Sequence, residues 1–251
     1  MSDLRLRART VSELVDAAFA LYRRNAMQYI VVSALAISPL LVFQLVVPAA
    51  ATPTLQNLGT SLFAVEVISM LTYALMSAVV VKLGSQAYLG EVPDVANTVR
   101  EVLPRVPSVI VGGILMVPLL FLGLLAFFVG VLYVVSRWFA VSTVIVLEGK
   151  GPLEAFGRSS VLSSGRKRHI LNTLILVGLI YVVLAMGVSA FSVLFGSRVI
   201  ALVISTAFTI VAYPVFALTQ MLLYYDARIR GEGFDLERMA DALGAPAAAQ
   251  A

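Results

Sequence analysis

The chain has 251 residues, of which 60% are hydrophobic and only 13% are charged, and its mean hydropathy is +0.97. A soluble protein carries about 25% charged residues, because its surface faces water, so the composition excludes an ordinary soluble domain. The formal net charge of +4 does not indicate nucleic-acid binding, because the basic residues flank apolar segments instead of forming one stripe. The absence of cysteine excludes disulfides, thiolate metal sites and cysteine nucleophiles.

The segment before the first apolar run has the pattern of an amphipathic helix. Thr10 and Glu13 stand at the spacing of a capping box. Four apolar residues at helical spacing would share one face: Leu14, Ala18, Leu21 and Tyr22. The run from about Met27 has full spanning length and no small-residue cleavage site behind it, so we expect a retained span and not a cleaved signal peptide.

Six apolar runs are long enough to cross a hydrocarbon core of roughly 30 Å, which needs about 20 residues. They cover about 27–47, 61–88, 108–128, 130–147, 170–195 and 199–225. The sequence therefore predicts an all-α fold, a polytopic transmembrane helical bundle of about six spans, in a single integral membrane domain over residues 1–251. Residues 226–251 would form a polar tail with a short helix from Leu236 to Leu243, capped by Asp235.

The region from Ser108 to Leu147 allows two interpretations. A continuous helix there would be about 60 Å long, twice the length of one crossing, and the basic residues on both sides require an even number of crossings. We therefore predict two spans joined by a tight, uncharged turn near residues 123–130. A re-entrant hairpin is the alternative, because this turn contains almost nothing polar.

The basic residues are distributed asymmetrically between the two sides of these spans. Seventeen of the eighteen Lys and Arg residues can lie on one side of the membrane, and Arg198 is the exception. When Arg137 is counted as intramembrane, the two sides carry 16 and 1 of these residues. Cytoplasmic loops carry an excess of Lys and Arg, so both termini are predicted to be cytoplasmic. We expect a multi-pass protein of the bacterial cytoplasmic (inner) membrane.

Two further cytoplasmic amphipathic helices are predicted before the third and fifth spans. The first would be capped by Asp94 and carry Val95, Val99, Val102 and Leu103, and the second would begin at Pro152 and carry Leu153, Phe156 and Ser160. Three units of surface helix plus span pair would form a parallel threefold repeat. The other interpretation is that juxtamembrane helices are common wherever chains enter a bilayer.

Arg137 is the main candidate for a functional residue within the membrane, since it lies about midway along the predicted fourth span. An Arg at that depth costs at least ~3 kcal/mol on insertion scales and has to face a partner or water. Glu66, near the outer end of the second span, is the one available carboxylate, so an ion pair is one interpretation. The others are that Arg137 caps broken backbone near Gly130, or that it contacts a ligand or a lipid phosphate.

The second candidate site is the basic cluster Arg166, Lys167 and Arg168. Anionic headgroups attract such residues by about 1 kcal/mol each, which would make them lipid contacts. The alternative is an ordinary cluster of charges that fixes the topology. His169 is the only histidine, and beside three cations it is expected to be interfacial rather than a metal ligand.

No pattern typical of catalysis or cofactor binding is present. The glycine-containing stretches at 148–151 and 231–233 lack Walker spacing, and nucleophile-elbow, zincin and paired-carboxylate patterns are missing. We therefore expect no enzyme activity, no cofactor and no metal.

Parts of the chain resemble a known family. The first stretch consists of Arg137-Trp138 and residues 144–149, 151–160 and 164–168. The second stretch is the most specific and begins Leu223-Tyr-Tyr-Asp-Ala-Arg-Ile-Arg-Gly-Glu-Gly. Residues 9–25 form a third similar stretch. All three resemble the membrane domain attached to some bacterial glycerophosphodiester phosphodiesterases, and its stand-alone relatives. In the fused proteins the chemistry belongs to a separate soluble barrel that this sequence lacks. The resemblance thus implies a helical membrane module, with no catalytic residues to carry over, working beside an envelope or lipid enzyme on another chain.

Two functional hypotheses follow from these patterns. The leading one is a non-catalytic integral membrane module that binds a partner protein or lipid in the cell envelope. The alternative is a small transporter or lipid translocator with Arg137 at a midplane site, surrounded by helices broken at Pro39, Pro118 and Pro214.

Overall fold

A computed structural model describes residues 7–50, 55–127, 129–234 and 236, with side chains at most of these positions. Within those ranges the chain forms ten α-helices and no strand, which confirms the predicted all-α class. The helices are α1 Val11–Arg24, α2 Ala26–Ala50, α3 Leu55–Tyr88, α4 Val95–Val102, α5 Val106–Leu125, α6 Val129–Arg137, α7 Val141–Glu148, α8 Pro152–Leu162, α9 Lys167–Val193 and α10 Arg198–Glu232. A 3-10 turn, Leu103–Arg105, joins α4 to α5.

Six segments of the described chain are long and apolar enough to cross a membrane, as the sequence predicts. They are Ala26–Val46, Leu62–Tyr88, Val95–Leu125, Val129–Glu148, Lys167–Val193 and Arg198–Glu232. The predicted tail helix and its Asp235 cap lie outside the described residues, apart from Leu236.

Helix α1 forms as the sequence predicts. The Thr10 hydroxyl accepts a hydrogen bond from the Glu13 N–H, and the Glu13 carboxylate accepts one from the Thr10 N–H at 2.8 Å. Leu14, Ala18 and Leu21 are fully buried, because this face packs against α9 and α10. We call the end of the bundle that holds α1, α4 and α8 the basic end; α9 begins there and α10 ends there.

The predicted helix before the third span is α4, and one of its predicted apolar contacts is wrong. Asp94 caps the helix by accepting a hydrogen bond from the Asn97 N–H at 3.1 Å. Val102 is fully buried, but Leu103 is 56% exposed. The reason is that the helix tightens into the 3-10 turn at Leu103, which changes the direction of that side chain.

Helix α8 begins at Pro152, as predicted, but it turns a different face toward the protein. Leu153, placed on the apolar face from the sequence, is exposed. The buried face consists of Ala155, Ser159 and Leu162. Two small residues stand on this face because α8 packs closely against α7 and α5.

Helices α5 and α6 form the predicted hairpin, and two glycines bring their backbones together. A Cβ atom at Gly130 would lie 2.6 Å from the Gly123 carbonyl oxygen, so only glycine fits at this contact. The turn between the helices includes Phe127, which is 90% exposed and has a φ of +51°. Nine residues of α6 span only about 13 Å, so a full crossing requires α6 and α7 together.

The last helix is longer than predicted. The sequence places the end of the final span at residue 225 and a polar tail after it, whereas α10 continues to Glu232 and ends at Gly233 in a left-handed conformation. The charged residues of this last part bind one another, Arg158 of α8 and the backbone of Arg9, as described below. Helices α2, α5 and α10 also run through Pro39, Pro118 and Pro214, so the predicted breaks at these prolines are wrong.

Candidate functional site

The fourth span, predicted as one helix over 130–147, is broken directly after Arg137. Helix α6 ends at Arg137, and α7 begins at Val141. Ser159 of α8 bridges the break, because its hydroxyl donates to the Arg137 carbonyl at 3.2 Å and accepts from the Ala140 N–H at 3.1 Å. A side chain from another helix thus supplies the hydrogen bonds that a continuous helix would have made, and the expectation of Arg137 in the middle of an unbroken helix is wrong.

The Arg137 side chain lies between two aromatic rings. Its Nη1 donates to the Tyr133 hydroxyl at 2.5 Å, and its guanidinium carbon is 5.7 Å from the Tyr133 ring centroid and 5.5 Å from that of Trp138. Its Nε is buried without a hydrogen-bond partner. Among the described residues Arg137 forms no ion pair, and Glu66 is exposed elsewhere, on α3, so the structure does not bring these two predicted residues together.

Instead, Arg137 shares an aromatic ring with the predicted basic cluster. The Nζ of Lys167, the first residue of α9, lies 4.3 Å from the Tyr133 ring centroid. The cluster itself divides into two kinds of residue. Arg166 donates to the Arg230 carbonyl at 2.9 Å and has a structural role, whereas Arg168 is exposed.

The three residues of the basic cluster border a concavity with a volume of about 600 Å³ at the basic end. It is lined by Ser164, Gly165, Arg166, Lys167, Arg168, His169 and Arg230. No described ion pair involves Lys167 or Arg168. The concavity can therefore attract an anion through charges that the protein itself does not neutralise.

A larger cavity, of about 630 Å³, lies within the bundle beside the helix break. It is lined by residues of α3, α5, α6, α7, α9 and α10 and is open on one side, and its lining is mainly apolar. Ser77, Ser142 and Gln220 contribute polar side chains, and Trp138 lies in its wall. The same tryptophan ring faces Arg137, so the cavity and the cationic side chain meet at Trp138.

An ionic network next to this site ties α7, α8 and α10 together. Arg158 donates from Nε to both oxygens of Glu148, at 2.9 and 3.0 Å, and its two Nη atoms bind Glu232. Glu148 also accepts from the Tyr224 hydroxyl at 2.9 Å, and Arg228 donates to Glu232 at 3.0 Å. The hydrogen bonds to Glu232 and Glu148 raise the pKa of Arg158 above its ordinary value, so this cation stays charged at every physiological pH.

A second network joins the N-terminal segment to the end of α10. Asp226 is 2% exposed and accepts hydrogen bonds from the Arg9 N–H and the Arg230 Nε, both at 2.7 Å. Arg230 also donates to the Arg9 carbonyl at 2.6 Å. The Nε2 of His169 lies 3.2 Å from the Asp226 carboxylate, but not in hydrogen-bonding geometry. His169 is thus a neighbour of a buried carboxylate, and the described residues contain no group of three metal-ligating side chains.

The sequence did not indicate Tyr133, Trp138, Ser159 or the partners of Asp226 as site residues. The contacts of Ser159 and the contact of Asp226 with Arg9 join residues far apart in the chain, so spacing along one helix could not reveal them, whereas Tyr133 stands four positions before Arg137 on the same helix. One signal was present: the stretches that carry the family resemblance contain Arg137, Glu148, Arg158, Asp226 and Glu232, and the structure joins Glu148, Arg158 and Glu232 in one network. No family model, curated protein or solved structure matches this chain significantly.

Proposed function

We propose that this protein is a non-catalytic integral module of the bacterial cytoplasmic membrane that binds anionic lipid at its basic end. In this proposal both termini and helices α1, α4 and α8 face the cytoplasm. The distribution of 17 of 18 Lys and Arg residues supports the orientation, and the resemblance to the membrane domain of glycerophosphodiester phosphodiesterases supports a role beside a lipid enzyme.

The observation that carries the proposal is that the carboxylates at the basic end are paired with cations of the protein, whereas two cations there have no carboxylate partner among the described residues. The carboxylates of Glu148, Glu232 and Asp226 are held by internal cations. Lys167 and Arg168, in contrast, border the concavity without an ion pair among the described residues. An anionic membrane surface would neutralise them, at about 1 kcal/mol for each cation.

Lipid retention tests this proposal. The protein is purified from vesicles of phosphatidylcholine and phosphatidylglycerol, and bound phosphatidylglycerol is measured by native mass spectrometry. Lys167→Gln with Arg168→Gln should weaken retention about 30-fold, from about 1 kcal/mol for each charge. Arg23→Gln with Arg24→Gln is the matched control, because it removes two adjacent exposed cations from the end of α1. Equal effects of the two double variants, or no effect of either, would contradict the proposal.

The orientation has its own test, because the chain contains no native cysteine. Single cysteines at Asn57 and Ser164 are labelled with an impermeant maleimide in intact cells. We expect Asn57→Cys to react and Ser164→Cys to react only after permeabilisation. The reverse pattern would place the basic end outside.

A small transporter or lipid translocator is the second candidate, favoured by the helix break beside the cavity. Broken helices that border a cavity are typical of the binding sites of transporters. Arg137→Leu should then abolish uptake of an anionic solute into proteoliposomes. Full uptake by this variant would exclude Arg137 from a transport site.

A further inference from the structure

The cavity has the size and lining of a ligand site. Its volume of about 630 Å³ falls within the range of about 300–1,000 Å³ found for small-molecule sites, which are mostly apolar with a few polar groups. Its apolar lining would receive hydrocarbon better than a soluble polar molecule. Trp138 forms part of this wall and is the only tryptophan of the chain.

The charges beside the cavity are cationic and close together. The Arg137 guanidinium lies over the Trp138 ring, and Arg137 and Lys167 both contact Tyr133. Neither cation has a carboxylate partner among the described residues, and the Nε of Arg137 is a buried donor with no acceptor. The Arg137 side chain is only partly buried, and a phosphate oxygen is the type of acceptor that Arg binds best.

We propose that the cavity holds one acyl chain of an anionic phospholipid, whose phosphate binds between Arg137 and Lys167. The inference rests on the proposed function, anionic lipid binding, and adds a defined site with one lipid. The juxtaposition of an apolar cavity and two cations matches an amphiphile with a negative head. A soluble phosphate would leave the cavity unfilled, and a neutral apolar molecule would leave both cations without an anion.

Two glycines of α9 allow the cavity to be blocked with a matched control. Gly178 lines the cavity, and a Cβ atom there would meet no other atom within 4 Å. Gly187 lies on the same helix with equal space around it, but it is exposed and does not line the cavity. Gly178→Leu should therefore occupy the space for the acyl chain, whereas Gly187→Leu adds the same side chain at the lipid-facing surface.

Fluorescence of Trp138 measures occupancy of the site directly. The full-length protein is reconstituted in phosphatidylcholine vesicles with increasing phosphatidylglycerol that carries brominated acyl chains, which quench a nearby tryptophan. Brominated phosphatidylcholine gives the background from the surrounding bilayer. We expect phosphatidylglycerol to quench more strongly and in a saturable manner, and glycerol phosphate, which has no acyl chain, to leave the quenching unchanged.

The variants should distinguish lipid bound in the cavity from lipid attracted to the cationic surface. Gly178→Leu should reduce the quenching to the phosphatidylcholine background, and Gly187→Leu should quench like the wild type. Arg137→Gln should raise the half-saturating phosphatidylglycerol fraction about fivefold, the loss of one cation near anionic headgroups. Circular dichroism and gel filtration establish that each variant is folded, and the wild-type titration stands without any substitution.

The opposite results would overturn the proposed lipid site, and they can be told apart from a failure of the proposed function. Equal quenching by both brominated lipids, or saturable quenching that persists in Gly178→Leu, would show that no acyl chain occupies the cavity. Retention of phosphatidylglycerol that still depends on Lys167 and Arg168 would then leave surface binding intact. Displacement of the quenching by glycerol phosphate would assign the cations to a soluble phosphate instead. Loss of both the retention and the quenching would reject the proposed function together with the site.

Discussion

The backbone N–H of Arg9 donates a 2.7 Å hydrogen bond to the buried carboxylate of Asp226, 217 positions later in the chain. Asp226 accepts from Arg230 through its other oxygen, and Arg230 in turn binds the Arg9 carbonyl. This closed arrangement fixes the segment before α1 against the end of α10. The two ends of the bundle's sequence therefore meet in one polar contact at the basic end.

Asp226→Asn should destabilise the folded protein by about 1–3 kcal/mol, because an amide cannot accept from every donor around this buried carboxylate. The partly exposed cations limit the effect, since Arg230 is 35% exposed. Thermal unfolding in detergent measures the loss, and proteolysis before α1 should become faster. Asp16→Asn is the control, because Asp16 is exposed. Equal unfolding of both variants would contradict a structural role for Asp226.

Ser159→Ala should destabilise the break between α6 and α7. It leaves the Ala140 N–H and the Arg137 carbonyl without their partner, at a cost of about 1–3 kcal/mol. The emission of Trp138, which lies within the break, should shift at the same time. Ser160→Ala is the adjacent control. An unchanged emission and melting temperature in Ser159→Ala would show that the serine does not maintain the break.

The six-span fold could be predicted from the sequence, but the break in the fourth span could not. Span lengths, the Thr10–Glu13 capping box and the Asp94 cap are local patterns, and the structure confirms them. The break depends on Ser159, which belongs to another helix and lies 22 positions after Arg137. No pattern within residues 130–147 encodes that hydrogen bond.

The end of α10 was predicted as polar tail for a related reason. Asp226 and Glu232 read as solvent-facing residues, because their partners Arg9 and Arg158 are distant in sequence. Pairing removes much of the cost of placing these charges near the core, so the helix continues for seven residues beyond the predicted end at 225. The candidate site was similarly hidden: Arg137 could be chosen from its position, but its neighbour Lys167 comes from the next span.

The ion pair of Arg158 with Glu232 should contribute more than an ordinary surface pair. Arg158 binds this carboxylate through both Nη atoms and is 21% exposed, whereas Lys82 meets Glu101 through one atom with Glu101 51% exposed. A double-mutant cycle to Gln should give a coupling energy of about 1–2 kcal/mol for the first pair and below about 1 kcal/mol for the second. Similar coupling energies would remove the argument from bidentate geometry.

The start of α1 should respond to acid through Glu13. The hydrogen bonds from Arg7 and from Thr10 lower the pKa of Glu13 from 4.5 to about 2. Because the folded-state pKa is depressed, the stabilisation is complete above pH 4.5 and is lost as the pH falls toward 2. Amide hydrogen exchange in the first turn of α1, compared at each pH with Glu13→Gln, should show wild-type protection converging on the variant across this interval. A constant difference between the two proteins would contradict the titration of Glu13.

The contact between Gly123 and Gly130 should be intolerant of a single methyl group. Ala at position 130 places a Cβ atom 2.6 Å from the Gly123 carbonyl oxygen, so α5 and α6 have to separate. Helix propensity alone favours Ala over Gly by about 0.5–1 kcal/mol, whereas overpacking costs about 1–3 kcal/mol. The net expectation is a lower melting temperature for Gly130→Ala. Gly113→Ala is the control, because its Cβ would lie 3.6 Å from the Met70 methyl group, an ordinary contact, and it should be neutral or stabilising. Stabilisation of both variants would mean that the two helices do not approach through their glycines.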